Sequence, residues 1–336
     1  MNRRDFLKKS VYMAVGLAGG LSLAGCGTST AQQAGTNAGQ AKNKPTVKIG
    51  YLPITDHLTM IAHGQTEFKQ FTLEPVKFSG WPELAEALKG GAIQGAFALT
   101  PIGMSLKQKG VPVKAVFLGH RNGSVLTAKV GPELNKVEDL RGKTIAIPSR
   151  FSTHNILIHK VLTDKGINPN NDVKLLDMSP PEMVNALATG KVDAFIVAEP
   201  FGGQAEMQKV GKVLVLSKDI WRDHICCVLN VQEELVQKNP EAVEELVGGL
   251  AKAATFIDNN PQEAAKLSLK YLGQKQEVVE HVLTNPKGRI TFANLVPDIK
   301  DFTATQDYLV QFGITKDKID LAQYIDDRFA RKAFGV

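Results

Sequence analysis

The chain has 336 residues and a formal net charge of +6, of which Arg3, Arg4, Lys8 and Lys9 against Asp5 supply +3. What remains is mild and shows no arginine-rich stripe, so a nucleic-acid partner is not expected. Two of the three cysteines, Cys226 and Cys227, are adjacent, which excludes a disulfide framework.

Residues 1–25 read as an export signal. Arg3-Arg4-Asp5-Phe6-Leu7-Lys8 is a basic head of twin-arginine character, and a glycine-rich apolar run follows from Val11 to Ala24. That run falls short of the ~20 residues that span a bilayer. Leu23-Ala24-Gly25-Cys26 has the form of a lipoprotein processing box, which makes Cys26 the expected lipidation site and a lipid anchor the expected membrane attachment. The protein is then expected outside the cytoplasm, facing the periplasm or cell exterior. Residues 26–45 are almost entirely small and polar and predict a flexible tether.

From residue 46 a strand–helix rhythm sets in. Short apolar runs at 47–52, 74–78, 95–99, 113–118, 143–147, 173–176, 194–198 and 213–216 have strand length. Helical spacing fills 83–89, 102–109, 155–165, 182–189 and 202–209. This alternation predicts an α/β fold with largely parallel sheets. Beyond about Val231 the pattern turns wholly helical. About 290 residues arranged this way suit two lobes with a ligand cleft between them. Lobe 1 is expected from 46–122 and 228–336, and lobe 2 from 123–227. The chain crossings are expected near His120–Ser124 and Ile225–Val231.

Four strand ends lead through polar or proline-bearing segments into helices: Ser79-Gly80-Trp81-Pro82, Thr100-Pro101, Pro148 to Asn155, and Glu199-Pro200-Phe201. Carboxyl ends of parallel strands face crevices, and helix starts there offer unpaired N–H groups to an oxyanion. Trp81, Thr100, Ser152, Thr153, His154 and Glu199 are therefore candidate ligand contacts, with Thr100, Ser152 or Thr153, and Glu199 as N-cap neighbours. Thr55, Asp56 and His57 follow the first strand, and Asn122 and Ser124 lie at the first crossing; they join the candidate set. Asp56 could instead cap a helix, and Asn122-Gly123 could be a plain tight turn.

These segments resemble the nitrate/sulfonate/bicarbonate/taurine family of periplasmic solute-binding proteins. The resemblance rests on Ile49 to Pro53, Ser79-Gly80-Trp81 with Glu86-Ala87-Leu88, Asp139 to Lys143, Ser152 to Asn155, Gly190 to Ala194, and Glu199-Pro200-Phe201. Asp219-Ile220-Trp221 with His224 is similar to the nitrate and bicarbonate binders in particular. It implies a periplasmic-binding-protein-like fold, a small anionic solute held between lobes, and delivery to an ABC permease and its ATPase by a monomeric binding protein without cofactor. The chain departs from the nitrate-type pattern at Ser124, where an amide is usual, and at Ile225-Cys226-Cys227, where a lysine is usual. Sulfonates and taurine-like solutes stay open.

Three rivals differ in class. A binder of a flat pyrimidine or vitamin precursor would stack it on Trp81 and Phe201. A pyrimidine-synthase-like enzyme would need a cysteine-rich motif that the chain lacks, and no catalytic residues are expected. A metal-binding lipoprotein would draw on His57, His63, His154, His224, Cys226 and Cys227. No metal is expected, because adjacent strand residues point to opposite faces.

Overall fold

The computed structural model describes residues 44–336. The expected export signal, the lipidation site expected at Cys26 and nearly all of the expected tether lie outside the described residues. Among the described residues twelve strands run in chain order: β1 Thr46–Tyr51, β2 Thr72–Lys77, β3 Gly95–Leu99, β4 Val113–Leu118, β5 Arg121–Asn122, β6 Ser124–Lys129, β7 Thr144–Ile147, β8 Lys174–Asp177, β9 Ala194–Ala198, β10 Gly211–Leu216, β11 Cys227–Gln232 and β12 Ile290–Thr291. They form two five-stranded sheets, ordered β2-β1-β3-β11-β4 and β10-β6-β9-β7-β8, with β5 and β12 as a separate pair. Each sheet with its helices is one lobe of a two-lobe α/β fold.

Both sheets follow one plan. Read from β8, the second sheet runs second strand, first strand, third strand, an inserted strand and fourth strand, as the first sheet does from β2. The inserted strand is the one entered just after a crossing: β6 is antiparallel to β9 and β10, and β11 is antiparallel to β3 and β4. The expected largely parallel sheets are thus mixed. No helix precedes β6, and only the four-residue helix Ser217–Ile220 precedes β11, so a strand–helix rhythm does not reveal them.

The central strands β3 and β9 are buried at every residue, which is why Gly95–Leu99 and Ala194–Ala198 read as unbroken apolar runs. Between the lobes the two connections hold each other. Asn122 N donates to His224 O (3.1 Å), and Arg121 pairs with Ile225 in an antiparallel bridge.

Beyond β11 the tail is helical apart from β12, and it is not confined to lobe 1. Helix Pro261–Leu272 packs on the 3₁₀ helix Thr55–Ile61 of lobe 1, while Gln276–Thr284 packs on Phe201–Met207 of lobe 2. Phe312, just past helix Ile299–Gln311, sets its ring 5.2 Å from that of His159 in lobe 2. Among the described residues no helix is long and apolar enough to cross a membrane.

Candidate functional site

The four strand ends do lead into helices, with different chemistry at each start. Ser152 caps helix Thr153–Thr163, its hydroxyl accepting from Asn155 N at 3.0 Å. Thr153 does not cap; its hydroxyl oxygen is buried without a partner. Thr100 does not cap helix Thr100–Gln108 either, because its hydroxyl donates to Cys226 O (3.0 Å) and ties that helix start to the second crossing. Gly80 gives helix Trp81–Lys89 an extended entry with Pro82 in its first turn. Glu199 acts as an anchor: Oε2 accepts from Gly203 N (3.0 Å) and Oε1 accepts from Arg289 Nε (2.7 Å) and Nη2.

An open cleft of about 490 Å³ separates the lobes. Lobe 1 contributes Trp81, Pro82 and Ile102, and lobe 2 contributes Ser149, Phe151 and Met178. Lobe 2 faces the cleft with the segments that precede helices Thr153–Thr163 and Pro180–Ala188. Of the candidate residues only Trp81 reaches this lining. Phe201, the other expected stacking ring, is 2% exposed and absent from it; Phe151 takes that place.

The remaining candidates are buried, and most of them meet in polar contacts at the lobe junction. Thr55 joins the lobes directly: its N–H (2.7 Å) and its hydroxyl (3.1 Å) both donate to Glu199 O, and its Oγ1 lies 2.9 Å from His120 Nε2. Asp56 Oδ2 lies 3.3 Å from the same His120 nitrogen. Ser124 Oγ sits 3.0 Å from His154 Nε2, and Cys226 Sγ sits 3.8 Å from it. His57 Nδ1 accepts from Leu52 N (2.8 Å), and its ring stacks on Phe97. Asn122, in the left-handed region at φ 60°, accepts from Asp223 N at 2.9 Å, so its amide clamps the crossing.

Burial governs the charges here. It holds His57 and His154 down at about 3 and His224 at about 4, and it lowers His120 well below the ordinary imidazole range. It pushes the Asp56 carboxyl up to about 8 and raises both thiols, Cys227 the more. It also raises Glu199, against the opposing pull of the Arg289 guanidinium. At neutral pH the histidines are neutral imidazoles and Asp56 is mostly protonated. Several polar atoms in the cluster have no hydrogen-bond partner, among them both Asp56 oxygens, His57 Nε2, His120 Nδ1, His154 Nδ1 and His224 Nε2.

Arg289 and His120 were not among the candidate ligand contacts, and the two thiols were weighed only for a metal site. Arg289 reaches Glu199 across 90 positions, and no local motif marks such a pairing. The expectation that the thiols face apart does not hold. Cys226 lies outside the ladder, between the bridge at Ile225 and the start of β11, so strand alternation does not apply to the pair. Their sulfurs and an Asp56 oxygen all lie within 4.8 Å of one another.

Comparison with known proteins matches residues 40–272 to one family. The chain belongs to the NMT1-like family. The nitrate/nitrite binding protein NrtA of Nostoc sp. strain PCC 7120 is 27% identical to it over 310 residues, covering 80% of this chain and 69% of that protein. The nitrate import ATP-binding protein NrtC of Synechocystis sp. strain PCC 6803 is 27% identical over 307 residues, and the match spans 83% of this chain but only 46% of NrtC. A crystal structure of the ligand binding component of an ABC-type import system from Staphylococcus aureus, with zinc bound, superposes with a TM-score of 0.79 at 28% identity, covering 86% of this chain and 99% of that one.

Proposed function

We propose that this NMT1-like protein is the solute-binding component of an ABC importer, and that it holds an organic anion of sulfonate size in the cleft between its lobes without transforming it. The observation that carries this reading is the cleft itself. Its volume of about 490 Å³ lies in the range of small-molecule sites, ~300–1,000 Å³, and leaves a bare nitrate or bicarbonate loosely held. Apolar Trp81, Ile102, Phe151 and Met178 suit a carbon tail. The polar ends are Ser149, Ser179 and the start of helix Pro180–Ala188, whose two leading prolines carry no N–H, so that its dipole alone favours an anionic head there. Lys89 and Lys109 also line the cleft, as do the carboxylates of Glu86 and Asp177. The buried polar cluster puts no free cation into the cleft, its Arg289 guanidinium being paired with Glu199, so attraction falls to this helix start and the two lysines.

Calorimetry with nitrate, nitrite, bicarbonate, taurine and short alkyl sulfonates tests this directly. Sulfonates are expected to bind and the three inorganic anions to bind weakly; silence across the whole panel counts against the reading. A flat-ring ligand is the second reading, favoured by Trp81 and Phe151 lining one cleft. A ligand at 100 times its Kd raises stability by ~2.7 kcal/mol, so a thermal-shift screen of pyrimidines against sulfonates separates the two.

Export and lipidation at Cys26 belong to the same proposal. Incorporation of labelled fatty acid into the full chain is expected and should be lost in Cys26→Ser; equal labelling of both would refute the anchor.

A further inference from the structure

Asp56 and Cys226-Cys227 meet at the hinge side of the lobe junction. Asp56 lies in the 3₁₀ helix that follows β1 of lobe 1, and the cysteines lie where the chain returns from lobe 2. One oxygen of Asp56 and the two sulfurs fall within 4.8 Å of one another, and all three residues have no exposed surface. Two sulfurs and an oxygen around a tetrahedral zinc ion stand ~3.5–3.8 Å apart, given Zn–S of ~2.3 Å and Zn–O of ~2.1 Å.

Two further observations point to a ligand. Both Asp56 oxygens are buried without a hydrogen-bond partner, an arrangement a folded chain rarely leaves unexplained. Imidazoles also flank the trio: His154 Nε2 is 3.8 Å from Cys226 Sγ, close to the ~3.6 Å that separates sulfur and nitrogen ligands of one zinc ion, and His120 Nε2 is 3.3 Å from Asp56 Oδ2. The bland explanation is a pair of inert buried thiols beside a neutral acid. It accounts for the thiols, which are content as small hydrophobes. It does not account for a carboxyl whose oxygens, with the thiols and His120 Nε2 as neighbours, make no well-formed hydrogen bond.

We infer that Asp56, Cys226 and Cys227 form a binding site for a thiophilic divalent metal ion of the zinc class. Two thiolates select against calcium and magnesium, which take oxygen ligands. Binding releases the two thiol protons, and the Asp56 proton where it is present, to solvent, while the ion takes the sulfur and oxygen lone pairs; no electron transfer is involved. Three protein ligands leave a fourth position, with His154 Nε2 beside Cys226. The site stands apart from the cleft, since none of the three residues lines it. Anion binding by metal-free protein therefore tests the transport reading separately.

The test uses the full chain, reduced, stripped of metal and given Zn²⁺ or Co²⁺ alone. After dialysis, one zinc per chain is expected by elemental analysis, and the cobalt form is expected to show a thiolate-to-cobalt charge-transfer band. Cys226→Ser/Cys227→Ser should abolish that band, and Asp56→Asn should weaken zinc binding by more than about tenfold, the lower end of what losing even an outer-shell partner costs. Circular dichroism checks that each variant folds; should the double variant fail to fold, Cys226→Ala alone and Asp56→Asn carry the test. Substoichiometric zinc, a cobalt spectrum without thiolate character, unchanged affinity in the folded variants, or a purified chain whose two thiols are locked in a disulfide would each overturn the inference.

Discussion

Glu199 and Arg289 show how one residue pair can fix a junction. Both are buried, and Arg289 also reaches Glu206 Oε2 at 3.2 Å and Asn285 O at 3.1 Å. Removing the guanidinium leaves a buried carboxyl with only Gly203 N to satisfy it. Arg289→Met is therefore expected to cost about 3–5 kcal/mol in chemical denaturation, the usual penalty for orphaning one member of a buried pair. Glu199→Gln/Arg289→Met should recover a large part of that loss, because no uncompensated charge remains. Additive losses in the double variant would show that the two side chains act independently. This residue scale was only half legible in the sequence. Trp81 could be placed at the cleft because a strand end, a glycine and a proline marked a helix start. The chemistry around Asp56 could not, since its neighbours Cys226 and Cys227 sit some 170 positions later and meet it only through a crossing.

Elements were read more faithfully than contacts. Runs such as 113–118 and 194–198 match β4 and β9 residue for residue, because buried strands need continuous apolar sequence. The inserted strands escaped: Ser124–Lys129 carries Ser, Thr and Lys, and Cys227–Gln232 carries Asn and Gln, so neither reads as an apolar run. Helix Thr153–Thr163 shows what a single cap contributes. It carries His154 into the buried cluster and starts beside the cleft segment Pro148 to Phe151. Ser152→Ala removes the acceptor for Asn155 N and should cost ~1 kcal/mol. In a domain of this size that lowers Tm by about 2–4 °C. A differential scanning trace with an unchanged midpoint would mean that neighbouring packing, not the cap, holds the helix start.

At the scale of the whole molecule, the lobes are joined by more than their two crossings. One buried apolar cluster runs from the first sheet through the tail helices to the Phe195 and Phe201 face of the second. Within it Val282, on tail helix Gln276–Thr284, closes on Gly203 of lobe 2, leaving no room there for a Cβ. A shared core of this kind should make the lobes unfold together. The two tryptophans can report on this, since Trp81 starts a lobe 1 helix and Trp221 follows helix Ser217–Ile220 of lobe 2. Fluorescence of Trp81→Phe and of Trp221→Phe, each leaving one reporter, is expected to give the same denaturation behaviour by both indoles once the variants' own stability offsets are removed using circular dichroism. Gly203→Ala, added to either background, must push Val282 away and should lower both fluorescence midpoints together, by the ~1–3 kcal/mol that overpacking costs. If it shifts the Trp221 signal and leaves that of Trp81 in place, the lobes unfold as separate units, and the tail helices are only a strap laid over them.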